Sequence, residues 1–145
     1  MFRQFLVGGA ASIFNIAIHA LIMMIVVRLA QSKSAKGKSH SSLLLIAVMI
    51  PTVSVLMVTH AIEVMVWSLA YLMFDAAPAD ADIVYFAFVN YTTLGYGDIL
   101  PLEPWRLLGP ITAMNGILLF GWSTAVIFEV LRRTLARSLE IPPAN

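Results

Sequence analysis

Three long apolar segments limit what this chain can fold into. They run from about Phe5 to Leu29, from about Leu43 to Phe74 and from about Leu107 to Leu131. Each could cross the hydrocarbon core of a bilayer, which takes about 20 residues of helix. Hydrophobic residues make up 60% of the 145 residues and charged residues only 12%, a balance that a soluble domain could not cover with polar surface. We therefore expect a single membrane module whose solvent is mostly the bilayer.

The remaining composition excludes several classes of protein. The chain has no cysteine, which rules out disulfides and cysteine-based metal sites. Its formal net charge of +1 favours no nucleic acid partner. The first apolar segment is longer than the hydrophobic part of a signal peptide, and basic residues follow it, so we interpret it as a retained transmembrane helix.

The few basic residues predict the orientation. They cluster after the first and third spans, and such regions stay in the cytoplasm; the residues are Arg28, Lys33, Lys36, Lys38, Arg132, Arg133 and Arg137. The N-terminus and the acidic loop at 75–82 are then expected outside, and the C-terminus in the cytoplasm. We expect a multi-pass protein of a prokaryotic inner membrane, whose basic loop is able to contact anionic lipid headgroups.

A fourth apolar segment, Ile83 to Tyr91, is too short to span. As a helix its nine residues would reach about 14 Å, roughly half a bilayer. Asp80 and Asp82 precede it and suit a helix start. Glycine-rich chain follows it at once. A half-length helix followed by irregular backbone is typical of a re-entrant loop, which is tolerated only when buried in protein or lining a watery cavity.

The irregular stretch offers backbone oxygens to a cation. Gly95 and Gly97 allow backbone conformations closed to other residues, and they alternate with Leu94 and Tyr96 after Thr93. Successive carbonyls can then point the same way and replace the water around an alkali cation. One strand offers too few oxygens, so several copies of the loop must face a common axis.

The run Thr93-Leu94-Gly95-Tyr96-Gly97 closely resembles the selectivity filter of the potassium channel family, which is itself the standard example of carbonyl selectivity. The resemblance covers about half the chain, from about residue 60 to 132, and leaves out the first span. Together with the first span, it implies an all-α membrane protein with three transmembrane helices, a re-entrant pore helix and a filter, assembled as a homotetramer. Carbonyls of residues 93 to 96 and the Thr93 hydroxyl would bind K⁺, with Gly97 at the outer mouth.

The resemblance also implies residues that support the filter. Thr92 precedes it, and Asp98 would lie behind its outer end. Tyr85 and Phe86 would form an aromatic cuff into which Tyr96 packs.

Two positions depart from the family pattern. Leu94 stands where valine or isoleucine is usual, which affects how strictly K⁺ is preferred over Na⁺. Val89 stands where some members carry an acid that pairs with the aspartate, so Asp98 needs another partner, either Tyr85 or a water.

The third span carries small and polar residues. Gly116 lies near where the family's inner helices carry a hinge glycine, and Gly121 is the alternative. Both also suit close helix packing, since small residues let membrane helices approach. Asn115 is polar at membrane depth, so we expect it to line a water-filled cavity or to form an interhelical hydrogen bond.

Ionisable residues also occur in the first two spans. His60 and Glu63 lie three residues apart on one helix face, and His19 lies on the first span, four residues after Asn15. Three interpretations stay open: a structural hydrogen-bonded cluster joining the two spans, a proton sensor, or a metal site of an intramembrane enzyme. Two ligands on one helix are weak support for a metal.

The sequence therefore predicts a K⁺-selective channel that conducts passively and is not an enzyme, with K⁺ ions in its filter and no organic cofactor. Its partners would be three further copies and membrane lipid, and no nucleic acid. The alternatives are a weakly selective cation channel and a non-conducting regulatory subunit. We divide the chain into a first helix with its basic loop (1–42), the pore module (43–132) and a cytoplasmic tail (133–145).

We expect channel opening to depend on pH through His60 and Glu63, because histidine changes its charge near neutral pH and an acid beside it responds to that charge. Single-channel records across pH 5 to 8 would test this, with Glu63→Gln as the variant. A pH response that is unchanged in Glu63→Gln would contradict the prediction.

Overall fold

The computed structural model describes the backbone of residues 1–36 and 41–139, and the side chains of residues 1–29 and 43–136. Within these ranges the chain is helical and contains no strand. Its elements are α1 (Phe2–Lys36), α2 (Ser41–Met73), α3 (Ile83–Tyr91), a 3-10 turn (Glu103–Trp105) and α4 (Leu108–Leu139). The predicted basic loop and cytoplasmic tail lie partly outside the described residues.

Three of the described helical stretches are long and apolar enough to cross a membrane, namely Phe2–Leu29, Leu43–Met73 and Glu103–Ala136. This confirms the predicted all-α membrane fold with three spans. Large apolar side chains point outward on all of them, for example Met57, Leu69 and Phe128, as expected for helices that face lipid or neighbouring chains. Helix α2 continues through Pro51, and just after it the hydroxyl of Thr52 donates to the Val48 carbonyl at 2.7 Å.

Helix α3 has the predicted bounds and begins at the predicted cap. Asp82 precedes it in an extended conformation, and its carboxylate accepts a hydrogen bond from the Tyr85 amide at 3.0 Å. This bond satisfies one of the amides left free in the first turn of a helix. Nine residues make α3 too short to span, so it supports a loop that enters and leaves on the same side.

Two apolar clusters hold the helices together. Around α3, the rings of Trp67, Tyr71 and Phe86 are buried, with the Tyr71 and Phe86 centroids 4.7 Å apart. At the opposite end of the bundle, Met23 and Val26 of α1 pack with residues of α2 and α4. The short helix is therefore fixed within its own chain by an aromatic core.

Helix α1 belongs to the same bundle, since it packs against both α2 and α4. Gly8 allows a close approach to α4, because a Cβ there would lie 2.8 Å from Cγ2 of Ile111. At the same end, the Gln4 side chain accepts a hydrogen bond from the Leu107 amide at 2.7 Å. These contacts bring Asn15 and His19 of α1, both fully buried, against the centre of the bundle.

Candidate functional site

The chain after α3 alternates between two kinds of backbone conformation. Thr93, Gly95 and Gly97 have φ angles of 61°, 58° and 77°, and the residues between them do not have positive φ. In an extended strand successive carbonyls point to opposite sides. A left-handed conformation at every second residue brings them to the same side. This is the geometry that the carbonyl-lined filter requires.

The positive φ of Thr93 was not predicted from the sequence, because a β-branched residue rarely adopts it. Such a conformation costs about 1–3 kcal/mol and persists only when its surroundings hold it. Here the end of α3 holds it. The Thr93 amide donates to the Asn90 carbonyl at 3.0 Å, and the Leu94 amide to the Val89 carbonyl at 3.0 Å. Together these two bonds form a Schellman motif, in which Thr93 occupies the left-handed position usually taken by glycine.

The amides at the start of the glycine-rich stretch are paired, whereas its carbonyls are not. The Thr92 and Gly95 amides also return to carbonyls of α3, those of Phe88 and Val89. Within the described ranges, no amide or side chain donates to a carbonyl of residues 93 to 97. These five residues are exposed in the single chain. Their oxygens are therefore available to a ligand such as a cation.

The supporting residues are only partly arranged as the resemblance implied. The Tyr85 hydroxyl donates to Asp98 at 2.7 Å, so Tyr85 is the partner that replaces the missing acid. This bond raises the pKa of Tyr85, because loss of its proton would set two anionic oxygens side by side. Phe86 is buried against Tyr71, whereas Tyr96 is 67% exposed. No described ring contact joins Tyr96 to Phe86 within one chain, because Phe86 faces the core.

Directly behind the end of α3 lies a buried carboxylate, that of Glu63 on α2. His19 Nδ1 of α1 lies 2.8 Å from its Oε1, and His60 Nδ1 lies 2.9 Å from its Oε2. The hydroxyl of Tyr91, the last residue of α3, also donates to Oε2. Ser123 of α4 contacts the far nitrogens of both rings, at 2.9 Å for His60 and 3.4 Å for His19. We call these five residues the Glu63 junction; it joins all four helices.

The Ser123 hydroxyl links the two imidazole rings of the Glu63 junction. Its oxygen lies near Nε2 of both His60 and His19. It carries one hydrogen, so it can donate to only one of the two nitrogens. The junction therefore brings a carboxyl group, two imidazoles and two hydroxyl groups into contact with one another at membrane depth, where polar groups need partners.

The same residues meet the distance requirement of a metal site. Ligand atoms of His19, His60 and Glu63 lie within 4.8 Å of one another, and two imidazoles with a carboxylate are a ligand set used for Zn²⁺. However, each ring directs its Nδ1 at a different oxygen of Glu63, at hydrogen-bond distance. This pairing of each ring with its own carboxylate oxygen favours the predicted hydrogen-bonded cluster between the first two spans.

Asn115 of α4 forms a second set of polar contacts, which lies between α4 and the first two helices. Its Oδ1 accepts hydrogen bonds from Asn15 of α1 at 3.2 Å and from the Trp67 indole of α2 at 3.0 Å. The side chain is buried. Of the two predicted roles, the interhelical hydrogen bond is the one observed. Asn115 does not line a cavity, because the face of α4 that carries it meets α1 and α2.

Gly116 lies at the closest approach between α3 and α4. A Cβ on it would lie 2.0 Å from the carbonyl oxygen of Tyr91, a distance that no folded chain tolerates. Gly121 differs, since a Cβ there would have nothing of its own chain within 4 Å. The packing role predicted for a small residue is therefore observed at Gly116, where it lets α4 lie directly against the end of α3. A hinge role at either glycine stays a prediction.

Three residues of the site were given no role from the sequence: Tyr91, Ser123 and Trp67. Tyr91 and Trp67 each carry one polar group on an otherwise apolar side chain, and Ser123 is small. None of the three is therefore conspicuous in the sequence of a membrane helix. The position of Tyr91 at the end of a half-length helix, next to the glycine-rich stretch, is the one signal that could have identified it.

We expect Gly116→Ala to destabilise the protein while Gly121→Ala does not. The added methyl group at 116 must push α4 away from Tyr91, and overpacking of this kind costs about 1–3 kcal/mol or more. The methyl group at 121 meets open space, and alanine favours helix. Thermal unfolding of the purified variants in detergent would measure the difference. Equal melting temperatures would show that Gly116 is not a required close contact.

Comparison with known families agrees with this geometry. A family model described as "Ion channel" matches residues 59–133, just over half of the chain. The matched segment contains most of the second half of α2, all of α3, the glycine-rich stretch and most of α4, and it leaves out α1. No curated protein and no solved structure matches the chain significantly. The chain belongs to the ion channel family with a two-helix, potassium-channel-type pore domain, here with one additional N-terminal membrane helix.

Proposed function

We propose that this ion channel is selective for K⁺ and conducts passively along the electrochemical gradient. The observation that carries the proposal is the backbone after α3. Residues with a left-handed backbone alternate there with residues whose φ is not positive. The amides of residues 92 to 95 donate to carbonyls of α3, and the carbonyls of residues 93 to 97 have no described donor. Carbonyl oxygens of this kind replace the hydration shell of K⁺ without any charged side chain. K⁺ would be the only ligand, held by residues 93 to 96 and the Thr93 hydroxyl.

The pore would be a homotetramer. One chain supplies a single filter strand, whose oxygens face one side only, so a closed coordination shell needs further copies around an axis. The exposure of Leu94, Tyr96 and the outward side of α4 in the single chain leaves apolar surface for such neighbours. Tyr96 would then pack against an adjacent copy, since its own chain offers it no described ring contact. A count of four chains per particle by native mass spectrometry is the expected result.

The proposed orientation follows from the charges. The filter end of the bundle lies with the acidic loop at 75–82, which we place outside. The N-terminus begins on the same side and the C-terminus ends in the cytoplasm. Lipid is a further partner, with anionic headgroups at the basic loop.

We expect purified protein in liposomes to show a reversal potential that follows the K⁺ gradient, and Ba²⁺ to block the current because its size matches K⁺. Equal permeability to Na⁺ and K⁺ would instead support a weakly selective cation channel, which the leucine at 94 makes the nearest alternative. No conduction at all would support a regulatory subunit.

A matched pair of glycine variants tests the filter itself. Gly95→Ala places a side chain at a φ of +58°, which is strained by about 1–2 kcal/mol, whereas Gly9→Ala adds a methyl group in α1 with nothing within 4 Å. We expect Gly95→Ala to lose most K⁺ flux or its selectivity and Gly9→Ala to keep both. Wild-type flux and selectivity in Gly95→Ala would show that this backbone does not carry the ions.

A further inference from the structure

Helix α1 lies outside the residues that the ion channel family shares, yet it contributes a side chain to the Glu63 junction behind the end of α3. The family match begins at residue 59. His19 of α1 is fully buried and places its Nδ1 2.8 Å from Oε1 of Glu63. A helix that served only to fill space beside lipid would have no need for an imidazole at this depth, where polar groups are costly.

The contact continues from Glu63 to the base of the filter. The other carboxylate oxygen, Oε2, accepts the hydroxyl hydrogen of Tyr91 and lies 2.9 Å from His60 Nδ1. Tyr91 is the last residue of α3, and Thr92 and Thr93 follow it directly. Two hydrogen-bonded steps therefore join α1 to Tyr91, the residue that precedes Thr92 and Thr93.

Tyr91 is held at both of its ends. Its carbonyl oxygen lies against the Cα of Gly116, with no room for a Cβ between them. Its hydroxyl is held by Glu63 and also lies 2.9 Å from His60 Nδ1, and its ring packs edge-on against Phe120 with centroids 5.4 Å apart. Fixing both ends of this residue fixes the direction in which the backbone leaves α3, and the strained φ of Thr93 two residues later depends on that direction.

We propose that Glu63 is a positioning residue of the filter and that α1 acts on ion conduction through it, by way of His19, Glu63 and Tyr91. The proposal rests on the filter function proposed above and assigns the additional helix a role in it. The Tyr91 hydroxyl is the last step of this connection, since no other described side chain links Glu63 to α3.

Two buried tyrosines provide a matched test. Tyr91→Phe and Tyr71→Phe each remove one hydroxyl from a fully buried ring, and each hydroxyl makes a cross-helix bond: Tyr91 to Glu63, and Tyr71 to Thr112 of α4 at 2.7 Å. A merely structural role predicts the same outcome for both. We expect similar losses of thermal stability, but only Tyr91→Phe to change filter function. Its Na⁺/K⁺ permeability ratio should rise, or its flux per channel should fall, by roughly fivefold, the factor that one net hydrogen bond gives.

The contribution of α1 is tested by combining variants. His19→Gln should shift the permeability ratio or flux in the same direction as Tyr91→Phe. If His19 acts through Tyr91, the double variant should be no worse than Tyr91→Phe alone, because residues in one network are not additive. Additive effects, or a His19→Gln channel with wild-type filter function, would overturn the role of α1. If His19→Gln does not assemble, the comparison of the two tyrosine variants still decides the role of Glu63.

The outcomes also separate this proposal from the proposed function. A wild-type channel that passes Na⁺ and K⁺ alike would overturn selectivity, and the flux per channel would still reveal positioning by Tyr91. A selective wild type whose Tyr91→Phe variant behaves like Tyr71→Phe would overturn positioning and leave the proposed function standing. A wild type that conducts no cation would overturn both.

Discussion

The rest of this structure depends on how α3 ends. In a membrane, each backbone amide and carbonyl needs a partner within the protein or in a watery cavity. Here the amides of residues 92 to 95 all return to the last carbonyls of α3. The carbonyls of residues 93 to 97 have no described donor, and left-handed φ angles recur there at every second residue. Without the returning amides, the same stretch would be an ordinary loop with its polar groups unpaired.

The base of this loop is held by polar contacts that are unusual for a membrane bundle. A carboxylate with no exposure would be strongly destabilising if it were alone. Glu63 instead meets two imidazoles and a phenol, and the rings in turn meet Ser123. Such a cluster contributes little net stability compared with apolar packing, because desolvation offsets most of the attraction. What it provides is a set of mutual hydrogen bonds that joins all four helices at one point.

Close packing contributes the second restraint on the same segment. The contact between Gly116 and the Tyr91 carbonyl places α4 directly against the end of α3. The position of α4 and the end of α3 are therefore linked by direct contact. The family match covers both residues of this contact, whereas the contact from α1 through His19 lies outside it. The additional helix thus meets the pore domain at Glu63, which is one hydrogen bond away from the end of α3.

Apolar length sets the class of fold and the number of spans, and a nine-residue segment between aspartate and glycines is too short to be another span. Local signals, namely Asp82 and the glycine-rich stretch, mark the bounds of α3. The predicted end of the third span is Leu131, whereas α4 continues to Leu139, because an apolar segment reports the thickness of the hydrocarbon core and not the length of the helix. None of these signals says which helix faces meet, because that depends on contacts between residues far apart in the chain. The rotation of α4 turned Asn115 inward, the placement of α1 brought His19 to Glu63, and the end of α3 held Thr93 in a conformation that its own side chain disfavours.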